Sequence, residues 1–143
     1  MHICFDFGYP ICMMKKFILC GTLGWCLEIL FTAFDSFRRR EMKLKGNTSI
    51  WMFPIYGMGA FIVPLFQLCK KKGILFRGTV YTIAIFLIEF FSGSLLKKHH
   101  MCPWDYSHAG TNIKGVIRLD YAPLWFLTGL LFESILLKHK SKA

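Results

Sequence analysis

The stretch TVYTIAIFLIEFFSGSLL, residues 79–96, decides the fold. It carries one charged side chain, Glu89, and shows no strongly polar face at helical spacing. A helix of a water-soluble bundle keeps one polar face for solvent. A soluble bundle of very apolar helices is therefore the weaker reading, and hydrocarbon is the expected surroundings of this segment.

Working outward, three more segments share its character. Crossing about 30 Å of hydrocarbon takes about 20 helical residues, with about 17 as the lower limit. The expected spans are Phe17 to Phe34, Ile50 to Cys69, Gly78 to Leu96 and Tyr121 to Leu137, none with an internal Lys or Arg. Basic clusters interrupt the apolar runs: Lys15-Lys16, Arg38-Arg39-Arg40, Lys70-Lys71-Lys72, Lys97-Lys98 and the segment from Lys138 to Lys142. The expected fold class is all-α: a multi-pass membrane protein, one transmembrane domain over residues 1–143 built as a bundle of about four transmembrane helices. The stretch 1–14 is too short and broken to span and is expected at the interface. It lacks a basic region ahead of an apolar core, so it is no conventional signal peptide, and the first span would serve as a signal anchor.

Composition agrees. The chain has 143 residues, 55% of them hydrophobic, with 15 Phe and a mean hydropathy of +0.45. A soluble domain of that size would leave large apolar patches in water. Net charge is +10. Because the basic residues fall where helix ends meet headgroups, anionic lipid is the expected partner, and nucleic acid is not. Lys and Arg are shared equally between the two sides of a four-span topology, so charge assigns no orientation. The six cysteines form no CxxC pair. His99, His100 and Cys102 have no second ligand cluster at metal-binding spacing, so no metal and no cofactor is expected. Asn47-Thr48-Ser49 is a glycosylation sequon that abuts the second span, and it is read as unused.

The candidate site residues are the intramembrane acids Glu28, Glu89 and Glu133, for which no span supplies a basic partner. An acid at helix centre costs about 2.5–3.5 kcal/mol on insertion scales, so each should face protein or water. Helical spacing puts each acid on the face richest in small residues: Gly21, Gly24, Trp25 and Thr32 beside Glu28; Thr82, Ser92 and Gly93 beside Glu89; Ala122 and Gly129, with Trp125 at the edge, beside Glu133. The second span offers Tyr56, Gly59, Ala60 and Gln67, and Pro54 and Pro64 should bend it. Glu133, near its span's end, could reach the headgroups. Two readings compete. Trp25, Tyr56 and the acids could line a polar cavity for a cation, a proton or an amine-bearing substrate, or each acid could be a structural hydrogen-bonding group. The loop from His99 to Asp120 adds Trp104, Asp105, Tyr106, Ser107 and Asn112 at the interface. They form either an Asp-centred turn closed by Ser107 or a cap over a site between the helices.

The ordered blocks Gly24-Trp25-Cys26-Leu27-Glu28, Pro54-Ile55-Tyr56-Gly57, Ile88-Glu89-Phe90-Phe91-Ser92-Gly93, Cys102-Pro103-Trp104-Asp105-Tyr106-Ser107 and Leu119-Asp120-Tyr121-Ala122-Pro123-Leu124-Trp125-Phe126 resemble the transmembrane protein 229 family. Bacterial ABC-transporter type IV, CmpB-like proteins share a related pattern. The resemblance covers roughly residues 17 to 137 and implies a four-helix, multi-pass membrane protein. It departs from the bacterial pattern at Trp51-Met52-Phe53, where those proteins usually carry a Gly-Pro pair.

Function follows as three expectations. The first is a transport or permease-like component, with Glu28 and Glu89 in its pathway and a homo-oligomer or partner membrane protein beside it. The alternative is a lipid- or partner-binding scaffold without transport or catalysis. An enzyme using Asp105, His99 or His100 ranks last, since no nucleophile and base stand at telling spacing and no P-loop is present.

Overall fold

The structure, a computed structural model, describes residues 8–141. It is 71% helical with almost no sheet. Among the described residues, four helical stretches are long and apolar enough to cross a membrane: Ile11–Arg38, Met52–Cys69, Ile74–Lys98 and Leu119–Lys138. Only 17–22% of each is buried, so the apolar faces left over, with Leu30, Phe91 and Leu127 outward, need a non-aqueous cover.

The chain divides into two compact units, residues 1–60 and 61–143. The first holds α1 (Gly8–Arg38) and α2 (Met52–Gly57). Helix α1 starts well before the expected span and carries Lys15 and Lys16 within it. Residues 8–14, expected as a separate interfacial segment, continue this helix; residues 1–7 lie outside the described residues. The apolar run marks where lipid should begin, whereas the helix continues until its backbone is capped. The cap is Arg40, at φ 61°. The amide of Arg40 bonds the Phe37 carbonyl and that of Glu41 bonds the Ser36 carbonyl, the paired bonds of a Schellman ending. Gly21 and Gly24 bring α1 against α2: a Cβ on Gly24 would lie 2.0 Å from Tyr56 Cγ, and one on Gly21 would lie 2.8 Å from the Phe53 ring.

The second apolar stretch is interrupted between Pro54 and Pro64. It runs as α2, a 3-10 turn (Met58–Phe61) and α3 (Ile62–Cys69). Each proline lies in the first turn of its α-helical segment, the position where a missing N–H costs least.

The second unit contains α3, α4 (Ile74–Lys98), the strands β1 (Asn112–Ile113) and β2 (Ile117–Arg118), a 3-10 turn (Leu119–Tyr121) and α5 (Ala122–Ser141). Helix α4 ends before Pro103. His100, at φ 55°, closes a second Schellman ending, its amide on the Lys97 carbonyl and that of Met101 on the Leu96 carbonyl. Strands β1 and β2 pair antiparallel, Ile113 opposite Ile117, across the three residues Lys114, Gly115 and Val116; Lys114 and Gly115, both at positive φ, are the central residues of a turn closed by the Val116 amide on the Ile113 carbonyl. The core of this unit gathers Tyr81, Leu96, Val116, Phe132 and Leu136.

Candidate functional site

The three acids have three different surroundings. Glu133, on α5, is 8% exposed. Arg77 Nε donates to its Oε2 at 3.0 Å and Arg77 Nη2 to its Oε1 at 3.0 Å. The fully buried Tyr81 hydroxyl also donates to Oε2. Arg77 Nη1 reaches the Lys72 carbonyl at 3.1 Å, and its guanidinium lies 5.5 Å from the Phe66 ring centroid. The basic partner of Glu133 thus comes from Arg77, just outside the expected span of residues 78–96. Arg77 bounds the apolar run by hydropathy yet lies in the first turn of α4, so the helix turns its fork toward α5. With both carboxylate oxygens occupied in a forked ion pair, Glu133 and Arg77 clamp α5 to α4.

Glu28, on α1, is half-buried and accepts one bond, from Thr48 Oγ1 at 2.8 Å. It belongs to a polar stripe, Trp25, Glu28, Thr32 and Ser36, spaced three or four residues apart along one helix face. Trp25 Nε1 donates to the Ser49 carbonyl at 2.9 Å, and Thr32 Oγ1 accepts the Asn47 amide at 2.8 Å. Ser36 Oγ donates to the Lys45 carbonyl at 2.9 Å. The stripe straps residues 45–49 to α1 by pairing their backbone groups with its side chains. Tyr56 packs over Gly24 in the same unit.

Glu89, on α4, is 7% exposed. Its Oε1 receives only a long bond from the Tyr106 hydroxyl, 3.4 Å. Its Oε2 is buried without a hydrogen-bond partner, and so is Trp125 Nε1. The Trp125 indole N–H faces the Glu89 carboxyl but falls short of ordinary hydrogen-bond geometry. Buried polar atoms are almost always paired, and more so in hydrocarbon. Glu89 is the buried acid here that its surroundings leave incomplete.

The 99–120 loop forms the Asp-centred turn and reaches Glu89 through the Tyr106 hydroxyl. Asp105 Oδ1 accepts the Ser107 amide at 3.1 Å and the Lys97 ammonium at 3.0 Å, and it also takes the Ser107 hydroxyl. The Ser107 and Lys97 bonds hold the Asp105 carboxyl down at about 2. Asn112 Oδ1 accepts the Gly115 amide at 2.9 Å, fixing the hairpin turn. Trp104 Nε1 donates to the Val116 carbonyl at 3.0 Å, and its ring edge rests 3.0 Å from where a Gly93 Cβ would stand. Burial pushes the Cys102 thiol up, and its Sγ contacts the Trp104 carbonyl at 3.2 Å. So anchored, the loop directs Tyr106 down onto Glu89. The rings of Tyr106, Tyr121 and Trp125 continue edge to face, with centroids 5.8 and 6.4 Å apart.

Glu89, Tyr106 and Trp125 thus come together, while Trp104, Asp105, Ser107 and Asn112 build the loop that delivers Tyr106. Glu133 lies in the same unit but shares no partner with Glu89. Sequence reasoning missed Arg77, Tyr81, Thr48 and Lys97. Tyr81 stands four residues after Arg77, but nothing local ties that pair to a carboxylate more than fifty residues away. Among the described residues no cluster of three or more His, Cys, Asp or Glu can hold a metal.

No solved structure matches this chain. A protein-family model with the description "Putative ABC-transporter type IV" matches residues 15–142, a stretch that takes in the three acids and the loop over Glu89. By that match across nearly its whole length, the chain belongs to the family so described.

Proposed function

We propose that this protein is a multi-pass integral membrane component of a transport system, in which Glu89 is the group that takes up and releases a proton or a cation. One observation carries the reading: an almost fully buried carboxylate with an unpartnered oxygen, covered by a half-buried tyrosine from an interfacial loop. An acid kept unsatisfied inside a membrane is costly, and transport pathways use such groups. The family description points the same way. Within that family, the Cys102-to-Ser107 string and the block order favour the transmembrane protein 229 group. The sequence carries no P-loop, so any ATP-driven step would draw on a separate ATPase subunit. The exposed basic cluster Arg38 to Arg40 is the element that would hold anionic headgroups.

The test is a pH-jump current measured on proteoliposomes adsorbed to a solid support. Wild-type protein should give a transient current that Glu89→Gln abolishes at equal reconstitution. Absence of current in the wild type, or its survival in Glu89→Gln, rejects the proposal.

A scaffold without transport is the second reading, and the clamp on Glu133 and the strap through Glu28 favour it, because both acids are satisfied structurally. On that reading Glu89→Gln raises stability and changes nothing else.

A further inference from the structure

We infer that the first unit carries a binding site for one anionic phospholipid, its phosphate held by the turn of residues 38–45 and an acyl chain laid in the groove beside Trp25. The site rests on the headgroup contact of the transport reading but on no proton or cation step, so a missing pH-jump current leaves it standing.

Charge places the headgroup. After α1 the chain curls tightly: Arg40 and Leu44 take positive φ, 61° and 46°, and the Leu44 amide bonds the Glu41 carbonyl at 3.1 Å. The curl gathers Arg38, Arg39, Arg40, Lys43 and Lys45 at one helix end, all exposed. Arg39 is balanced by Asp35 at 3.0 Å. Among the described residues the other four side chains make no ion pair or hydrogen bond, and within the turn only Glu41 opposes them. Such an excess of cations draws an anion.

The apolar side chains select which anion. Met42 and Leu44 alternate with the two lysines and are 81% and 51% exposed. A free phosphate would leave both in water, whereas a phospholipid covers them with hydrocarbon while its phosphate meets the lysines. From the turn, Phe37, Ala33, Ile29 and Trp25 follow at four-residue spacing, which makes them one row on the surface of α1. The row is about 18 Å long, close to the roughly 15 Å of hydrocarbon in one leaflet. At its far end lies an open groove of about 580 Å³ lined by Trp25, Ile50, Trp51, Phe53 and Pro54. Trp25 turns its indole N–H onto the Ser49 carbonyl at 2.9 Å, and its ring packs on Phe53 with centroids 4.9 Å apart. The groove thus offers hydrocarbon a surface and an anion nothing. Residues 45–49, bonded to Ser36, Thr32 and Trp25, tie the turn to the groove in one register, so the two halves of the site are held in place before lipid arrives.

The experiment is native mass spectrometry of the full chain released from detergent micelles, after titration with dioleoyl phosphatidylglycerol or dioleoyl phosphatidylcholine. Wild type should retain one phosphatidylglycerol, with phosphatidylcholine at least about tenfold weaker. The triple variant Arg40→Gln/Lys43→Gln/Lys45→Gln should bring phosphatidylglycerol down to the phosphatidylcholine level. Trp51→Ala, which removes a groove wall, should weaken both lipids about three- to tenfold and leave their ratio unchanged. Dihexanoyl phosphatidylglycerol, the same headgroup on chains too short for the groove, should bind wild type at least about tenfold more weakly than the dioleoyl lipid; it carries the groove test if Trp51→Ala aggregates. Glycerol 3-phosphate in excess should not displace the lipid. Equal retention of the two dioleoyl lipids by wild type overturns the inference, as does an unchanged preference in the triple variant. Equal binding of the short and long chains, or displacement by glycerol 3-phosphate, makes the turn a site for free anions and overturns it too.

Discussion

Replacing Glu133 by Gln should weaken the second unit more than any other single polar change in it. The structure gives the reason. Two Arg77 nitrogens donate to this carboxylate at 3.0 Å each, and their side chains are only 18% and 10% exposed. Removing one partner of a buried pair leaves an uncompensated charge and costs about 3–5 kcal/mol. Part of that is recovered if the glutamine amide still accepts from Tyr81, so about 3 kcal/mol is expected, roughly a hundredfold in the folding equilibrium. Arg77→Leu should cost a similar amount by stranding Glu133. The double variant Arg77→Leu/Glu133→Leu should recover most of the loss, because replacing both charges of a buried pair by apolar groups is often neutral. With Glu133→Leu as the matching single variant, costing about 3 kcal/mol like Arg77→Leu, the coupling read from the cycle should be about 5 kcal/mol, well above the ~0.6 kcal/mol average of interhelical polar bonds in membranes. Reversible unfolding in mixed detergent micelles, followed by circular dichroism, measures all four proteins. Single variants that each lose less than about 1 kcal/mol, or a double variant that is simply the sum of its parts, would refute the clamp.

Other predictions follow from the same contacts. Gly24→Ala would push a methyl to 2.0 Å from Tyr56 Cγ and should cost upward of about 3 kcal/mol, whereas Gly93→Ala meets Trp104 and Val116 at 3.0 Å and should cost about 1–2 kcal/mol; thermal melts in detergent rank the two. Trp25→Phe loses the bond to the Ser49 carbonyl, about 1 kcal/mol, and should speed proteolysis within residues 41–49 without changing α4 or α5. The Asp105 carboxyl lies below its ordinary 3.8, so the turn it closes is fully supported above that value and loses support as pH falls toward about 2. The hydrogen-exchange protection factor of the Ser107 amide should fall over that window in wild type and be flat in Asp105→Asn.

How much of the site was legible differs from residue to residue. Glu28 and Glu89 are visible as lone acids in apolar runs, and their small-residue faces follow from helical spacing alone. The burial of Gly21, Gly24, Thr82, Glu89 and Gly93 agrees with that spacing. Arg77 was read as a flank because hydropathy registers where charge begins, not which way a side chain turns. The strap through Thr48 escaped notice because a loop's contacts with a helix leave no periodic trace in the loop itself.

The sequence by itself determined that the chain is helical and that four of its helical stretches are long and apolar enough to cross a membrane. That conclusion needs only run length, the absence of charge within the runs, and the cost of an open backbone in lipid. Only the tertiary structure decided what surrounds each acid. The three carboxylates are chemically alike, and an acid's role depends on which atoms reach its oxygens: a guanidinium fork for Glu133, a threonine hydroxyl for Glu28, and little more than a distant tyrosine for Glu89. Those partners lie 17 to 56 residues away along the chain, a separation that only folding closes.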